Sequence, residues 1–118
     1  LSKEVAILAG NDGAIITCLK EGGAGGIAGR ANIWPKTLAS IYDKWSAGDV
    51  AGAEQAQEAI SALQSIFRYG NPNTIIKTAV ELLGYPVGKC RAPFSYVPEE
   101  GIEALQALLD RNKALGLA

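Results

Sequence analysis

Apolar residues form two short runs near the start of the chain and helical stripes beyond residue 35. The first run, Val5–Ala9, is continuous and stops at Gly10, a pattern typical of a strand buried on both faces in a parallel sheet. Apolar residues at helical spacing between 15 and 19 predict a helix after it. A second short strand is predicted over 26–29, where glycines indicate close approach of a ligand or another backbone. Together these elements predict one βαβ unit with a right-handed crossover.

Four amphipathic helices are predicted in the remainder of the chain. Pro35 and Pro72 occupy the first helical position, where a missing N–H costs no intrahelical hydrogen bond. Asp49 and Asn71 are suited to cap the second and third helices, and the last helix is predicted to begin at Pro98. The apolar stripes contain Leu38, Ile41, Tyr42 and Trp45 in the first helix, Val50, Ala53, Ile60, Leu63 and Phe67 in the second, Ile75, Ile76, Ala79, Val80 and Leu83 in the third, and Ile102, Leu105, Leu108 and Leu109 in the fourth.

The predicted strands are too few for the predicted helices to complete an α/β domain. Two short parallel strands cannot cover their own faces and edges, so they do not make a stable α/β domain. Alternation of strand and helix that turns into helix alone is typical of the end of a longer α/β chain. A (β/α)₈ barrel needs about 250 residues, and these 118 residues would supply less than half of one.

Composition excludes several classes of site and partner. The chain has no histidine, two cysteines and a net charge of −1, so we predict no metal site, no cofactor, no nucleic-acid partner and no membrane partner. No apolar run is long enough to span a bilayer. The first residues lack the basic and apolar regions of a signal peptide, and the two cysteines are expected to be reduced. We therefore expect a cytoplasmic protein.

A set of motifs in one order carries a resemblance to a known family. The motifs are Leu8-Ala9-Gly10-Asn11-Asp12-Gly13, Gly25-Gly26-Ile27-Ala28-Gly29-Arg30-Ala31-Asn32-Ile33, Ala47-Gly48-Asp49, Asn71-Pro72 with Lys77, Leu83-Gly84, and Arg91-Ala92-Pro93-Phe94. In these motifs the chain resembles the closing part of the dihydrodipicolinate synthase/N-acetylneuraminate lyase family. These proteins are class I aldolases that form a Schiff base on a TIM barrel.

The resemblance implies a fold and a division into domains. The fold class is α/β, the C-terminal portion of a (β/α)₈ TIM barrel that contains its last two strands, followed by a C-terminal helical extension. Residues 1–47 would hold the last two βα units, with the seventh strand over 4–9 and the eighth over 26–29. Residues 48–118 would form the helical domain. The resemblance also implies a partner for this portion, namely the upstream part of the same barrel.

The resemblance also implies where the chemistry lies. The Schiff-base lysine, the tyrosine that relays protons and the loop that binds the pyruvate carboxylate belong to upstream segments, so no catalytic residue is expected in this chain. Substrate-binding residues are expected at the ends of its two strands, because TIM-barrel active sites lie at that face. These residues are Gly10, Asn11, Asp12, Ile27 and Gly29. Ile27 would present its backbone carbonyl beside the lysine, and the others would line the aldehyde pocket.

Two of these residues, and two of their neighbours, also have a purely structural interpretation. Asp12 is suited to N-cap the helix that follows it, and Gly29 to close strand packing. Arg30 is suited to pair with a carboxylate at the barrel rim, and Asn32 to hold the turn before Pro35.

Substrate choice is where the members of this family differ. Condensation of pyruvate with aspartate semialdehyde fits the motifs around Gly10 and Asn32. An N-acetylneuraminate lyase-like activity is disfavoured by Gly13 and Gly29, since the sialic-acid lyases place polar partners for a sugar there. Arg30 and Thr74 depart from the synthase pattern, and the alternatives are a 2-keto-3-deoxy sugar acid aldolase or, less favoured, an N-acetylneuraminate lyase-like enzyme. The resemblance further implies a homotetramer.

Two other functions remain open from the residues alone. Glycines at 10–13 and 25–26 would allow backbone N–H contacts to a phosphate, as in other TIM barrels, although Asp12 would repel the anion. Residues 35–115 could instead be a non-enzymatic helical interaction module.

Overall fold

The structure, a computed structural model, describes residues 4–116. The outermost residues of the two predicted domains, 1–3 and 117–118, lie outside the described residues. Packing divides the chain into two compact units, Leu1–Ser61 and Ala62–Ala118. The predicted boundary at 47/48 concerns barrel topology in a longer protein, so it stays a prediction.

The first unit contains a small parallel sheet and three α-helices. Its strands and helices are β1 (Leu8–Ala9), a 3₁₀ helix (Asp12–Ala14), α1 (Ile15–Lys20), β2 (Gly25–Gly26), a second 3₁₀ helix (Gly29–Asn32), α2 (Pro35–Ser46) and α3 (Val50–Ser61). Leu8 pairs with Gly25 and Ala9 with Gly26. The predicted strand–helix–strand order and the parallel pairing are therefore confirmed.

The bounds predicted for both strands are wrong. β1 contains two residues rather than five, and β2 begins one residue earlier and ends three earlier than predicted. The Ala24 N–H donates to the Ile7 carbonyl at 2.7 Å and the Ile27 N–H to the Ala9 carbonyl at 2.9 Å, and the ladder ends there. Past Ile27, the chain turns into a 3₁₀ helix. The burial expected of a strand covered on both faces is also absent here, because Leu8 is half exposed and the described sheet has two strands only.

Packing of α1, α2 and α3 forms the core of this unit. The helix α2 packs along α3, and α1 packs against both. Asp49 caps α3 as predicted, since its Oδ1 accepts a hydrogen bond from the Gly52 N–H at 2.9 Å. The buried apolar side chains are Ile15, Ile16, Leu19, Ile33, Trp34, Leu38, Ile41, Ala53, Ala56 and Ile60.

The second unit is helical. It contains a 3₁₀ helix (Ala62–Tyr69), α4 (Pro72–Leu82) and α5 (Glu99–Ala114). The predicted second helix, which was expected to run on to Gly70, therefore changes to 3₁₀ geometry after Ser61. Asn71 caps α4 as predicted, because its Oδ1 accepts from the Asn73 N–H at 3.0 Å. Across the described residues, 4–116, no helix combines the length and apolar character that crossing a membrane requires.

Candidate functional site

The parallel register brings two loops to one edge of the sheet. Gly10 follows β1 and Ile27 follows β2, and the carboxyl ends of parallel strands lie at the same edge. Ile27 is 72% exposed, and a Cβ at Gly10 would meet no atom within 4 Å. These two predicted site residues therefore border open space at the carboxyl end of the sheet.

Asp12 joins the two loops. Its Oδ2 accepts a hydrogen bond from the backbone N–H of Arg30 at 2.7 Å. The same oxygen lies 3.6 Å from the Arg30 Nε. The Asp12 side chain is 14% exposed and that of Arg30 7%, so this ion pair is shielded from water. The loop after β1 and the loop after β2 are thus held together by one carboxylate.

The guanidinium of Arg30 extends the link to α3. Its Nη1 donates to the backbone carbonyl of Ile60 at 2.9 Å. Burial lowers the pKa of Arg30 below its ordinary value, and the negative charge of Asp12 opposes that change. The predicted pairing of Arg30 with a carboxylate at the rim is therefore present, and its partner is Asp12.

The prediction that Asp12 caps the following helix is wrong. Asn11 is the cap, because its Oδ1 accepts the Gly13 N–H at 2.9 Å. Asp12 occupies the first turn of the 3₁₀ helix instead, and its carboxylate accepts the hydrogen bond from the Arg30 N–H. Asn32 donates from Nδ2 to the Gly29 carbonyl at 2.9 Å, which holds the turn before Pro35 as its structural interpretation predicts.

Gln57 is the residue of this region that sequence analysis missed. Its Nε2 donates to the Asp12 carbonyl at 2.8 Å and its Oε1 accepts the Ile16 N–H at 3.0 Å. Gln57 is 6% exposed and lies on α3 between the buried Ala53 and Ile60. A polar residue at a buried position of a helical stripe was the available signal, because a buried carboxamide needs hydrogen-bond partners.

Three backbone donors of these loops are used within the protein. The Gly13 and Ala14 N–H groups donate to Asn11, and the Arg30 N–H donates to Asp12. A cradle for phosphate needs such donors free. These three N–H groups are therefore not available to a phosphate.

An apolar groove runs beside the sheet in the same unit. Its volume is about 400 Å³, and Leu8, Ile15 and Leu38 are among its lining residues. Among residues 4–116, no group of three or more His, Cys, Asp or Glu side chains is placed to hold a metal ion.

A family model matches nearly the whole chain. The model is described as the Dihydrodipicolinate synthetase family, and it covers residues 1–112. The 4-hydroxy-tetrahydrodipicolinate synthase of Methanoculleus marisnigri is 33% identical over 108 residues, which are 91% of this chain and 37% of that protein. The protein of the same name from Clostridium novyi is 35% identical over 112 residues, which are 93% of this chain and 38% of that protein.

Solved structures agree with the family match. YagE from E. coli K12, a prophage protein of the dihydrodipicolinic acid synthase family solved in complex with pyruvate, is 28% identical with a TM-score of 0.81. The alignment covers 96% of this chain and 38% of YagE. KD(P)GA from T. tenax has a TM-score of 0.81 over 96% of this chain and 40% of that one; at 24% identity this likeness concerns the fold alone. The α/β fold, as part of a TIM barrel, is therefore confirmed, and the chain spans about 37–38% of the first relatives' length.

Proposed function

Since this chain belongs to the dihydrodipicolinate synthetase family, we propose that it is the C-terminal part of a class I aldolase that condenses pyruvate with an aldehyde. The aldehyde we favour is aspartate semialdehyde, because the relatives that match over nine-tenths of the chain are named 4-hydroxy-tetrahydrodipicolinate synthases. A lysine in the upstream part of the barrel attacks the pyruvate carbonyl and forms the Schiff base, and the carbonyl oxygen leaves as water. This chain supplies the opposite wall of the active site.

The parallel pairing of β1 with β2 is the observation that carries this proposal. In the complete barrel, β1 and β2 are the seventh and eighth strands, and their free edges pair with the sixth and the first. Residues 48–118 form the helical extension after the barrel. The half-exposed Leu8 and the apolar groove next to the sheet support an upstream partner, because such apolar surface is buried in a finished barrel.

The proposed substrate-binding residues are those expected at the carboxyl ends of the two strands. Gly10, Asn11, Asp12 and Gly29 line the pocket of the aldehyde, and Ile27 places its backbone carbonyl beside the lysine. An apolar side chain as exposed as Ile27 excludes water once the upstream lysine faces it. Loss of water around an amine lowers its pKa and leaves more of it neutral and nucleophilic at neutral pH.

A 2-keto-3-deoxy sugar acid is the second candidate for the substrate. Two observations support testing it: the chain is similar in fold to KD(P)GA, and Arg30 departs from the synthase pattern. The complete enzyme is proposed to be a cytoplasmic homotetramer that uses no cofactor.

Borohydride reduction in the presence of pyruvate tests the mechanism. The full-length protein that contains residues 1–118 should gain the mass of reduced pyruvate on one lysine, whereas residues 1–118 alone should gain none. Turnover with aspartate semialdehyde, measured against 2-keto-3-deoxy sugar acids, then selects the substrate. A full-length protein that forms no adduct would exclude the Schiff-base mechanism.

A further inference from the structure

The carboxamide of Gln57 occupies a gap in helical hydrogen bonding. In a continuous α-helix, the N–H of residue 16 would donate to the carbonyl of residue 12. Here the Ile16 N–H donates to Gln57 Oε1 at 3.0 Å, and Gln57 Nε2 donates to the Asp12 carbonyl at 2.8 Å. One side chain thus replaces a single backbone hydrogen bond by a bridge of two.

This bridge sets the geometry of the segment that leaves β1. A side chain inserted between the N–H and C=O groups of a helix separates its turns and bends the chain there. The junction between the 3₁₀ helix over 12–14 and α1 is the place where Gln57 inserts. With its carbonyl held by Gln57, Asp12 directs its carboxylate to the Arg30 N–H.

Both ends of the bridge are satisfied only by a side chain that donates and accepts at once. The Asp12 carbonyl needs a donor and the Ile16 N–H needs an acceptor, and an apolar side chain supplies neither. Gln57 is almost fully buried, and its Nε2 also lies 3.3 Å from the Ser61 hydroxyl. The neighbouring stripe positions Ala53, Ala56 and Ile60 are all fully buried and apolar, so packing alone does not call for a polar residue at this position.

We propose that Gln57 is a positioning residue, which acts through the backbone of Asp12 to hold the loop over 10–14 in the shape that receives the aldehyde. The inference rests on the proposed function, because it assigns that loop to the aldehyde pocket. Pyruvate reacts with a lysine outside this chain. Loss of the bridge should therefore affect use of the aldehyde and spare formation of the pyruvate Schiff base.

Kinetics of the full-length protein separate positioning from folding. Gln57→Met keeps the length of the side chain and removes both hydrogen bonds, and Gln55→Met makes the same change at an exposed position of α3. We expect Gln57→Met to raise the KM for the aldehyde about tenfold. The KM for pyruvate and the extent of borohydride trapping should match those of Gln55→Met. An unchanged aldehyde KM, or pyruvate and aldehyde constants that worsen together, would overturn the proposal.

A second variant supplies a pH readout that a loss of folded protein would not produce. In Gln57→Glu, an ionised carboxylate accepts from the Ile16 N–H but cannot donate to the Asp12 carbonyl, whereas the protonated acid does both. The aldehyde KM of Gln57→Glu should therefore approach that of the unsubstituted protein as the pH falls, with Gln55→Glu as the reference. If the ratio of the aldehyde KM of Gln57→Glu to that of Gln55→Glu does not vary with pH, the bridge is contradicted.

Failure of the proposed function is visible separately. If the unsubstituted protein forms no adduct with pyruvate, the Schiff-base mechanism falls, and hydrogen exchange of the Ile16 amide then tests the bridge directly. Faster exchange of that amide in Gln57→Met than in Gln55→Met supports the bridge. Equal exchange refutes it.

Discussion

The Asp12 carboxylate receives the backbone N–H of Arg30 at 2.7 Å across a sheet whose ladder pairs only two residues of each strand. The two loops that border the candidate site are therefore held by a side chain as well as by the sheet. The Arg30 guanidinium continues this contact to the Ile60 carbonyl at 2.9 Å. Strand ends and α3 form one polar network, and its members can be tested singly.

Removal of the carboxylate should destabilise the fold. In Asp12→Ala the Arg30 N–H loses its acceptor and the guanidinium loses its nearby negative charge. We expect the free energy of unfolding to fall by about 2–4 kcal/mol, measured by urea denaturation. Asp43→Ala, at an exposed position of α2, should change it by no more than about 0.5 kcal/mol. Equal effects of the two substitutions would contradict the role given to Asp12.

The burial of Arg30 predicts that the free energy of unfolding depends on pH, and the substitution Arg30→Lys would bring this dependence into a measurable pH range. Burial lowers the pKa of Arg30, so the folded protein releases this proton at lower pH than the unfolded chain, and stability rises as the pH increases through the folded pKa. For arginine this range lies at strongly alkaline pH. In Arg30→Lys it moves below the ordinary lysine pKa of about 10.4.

We expect Arg30→Lys to lose stability relative to the unsubstituted protein, and we expect this loss to become smaller at alkaline pH. The free energy of unfolding of Arg30→Lys should be lower than that of the unsubstituted protein near neutral pH and should approach it as the pH rises toward about 10. The exposed Arg111→Lys serves as the reference, and its deficit should stay flat. A deficit of Arg30→Lys that is constant with pH would refute the desolvation argument.

An added methyl group should destabilise the fold at one glycine near the strands and leave its stability almost unchanged at another. A Cβ at Gly26 would lie 2.8 Å from the Ile15 Cγ1 and 3.2 Å from the Ala9 carbonyl oxygen, whereas one at Gly10 would meet nothing within 4 Å. Gly26→Ala should lower the free energy of unfolding by about 1–3 kcal/mol. Gly10→Ala should leave it within about 0.5 kcal/mol while raising the KM for the aldehyde in the full-length protein. Comparable loss of stability in both variants would contradict the packing described for the sheet.

A charge at Ile27 should alter the chemistry without altering stability. The side chain is 72% exposed when residues 1–118 are alone, so in that polypeptide Ile27→Asp should unfold at the same urea concentration as Ile27→Val. In the full-length protein, a carboxylate beside the Schiff-base lysine should raise the pKa of its amine. Trapping of pyruvate at neutral pH should then slow about tenfold for each unit of increase and recover in alkali. Trapping rates equal to those of Ile27→Val would remove Ile27 from the neighbourhood of the lysine.

Helices were predictable because their signals are local. Pro35 and Pro72 at the first helical position and the caps at Asp49 and Asn71 each act within one turn. The structure accordingly begins α2 and α4 at these prolines. The spacing of apolar residues in the last part of the chain likewise predicted α5.

Strand bounds and the polar network were not predictable in the same way. The length of a strand depends on how much partner it finds, and β1 pairs only as far as β2 follows it. Asp12 was predicted as the cap, but its carboxylate accepts from the Arg30 N–H, which lies 18 residues away in the sequence. Gln57 is 45 residues from Asp12, so nothing local to either residue shows their contact.

The bridge through Gln57 bears on how this polypeptide could be divided for split-enzyme complementation. A cut at 47/48, where the barrel was predicted to end, would place the carboxamide on one piece and the Asp12 carbonyl with the Ile16 amide on the other. The piece that carries the sheet would then expose the Asp12 carbonyl and the Ile16 N–H to solvent. A cut C-terminal to Ser61 keeps donor, acceptor and carboxamide on the same piece, and is the better design for reassembly.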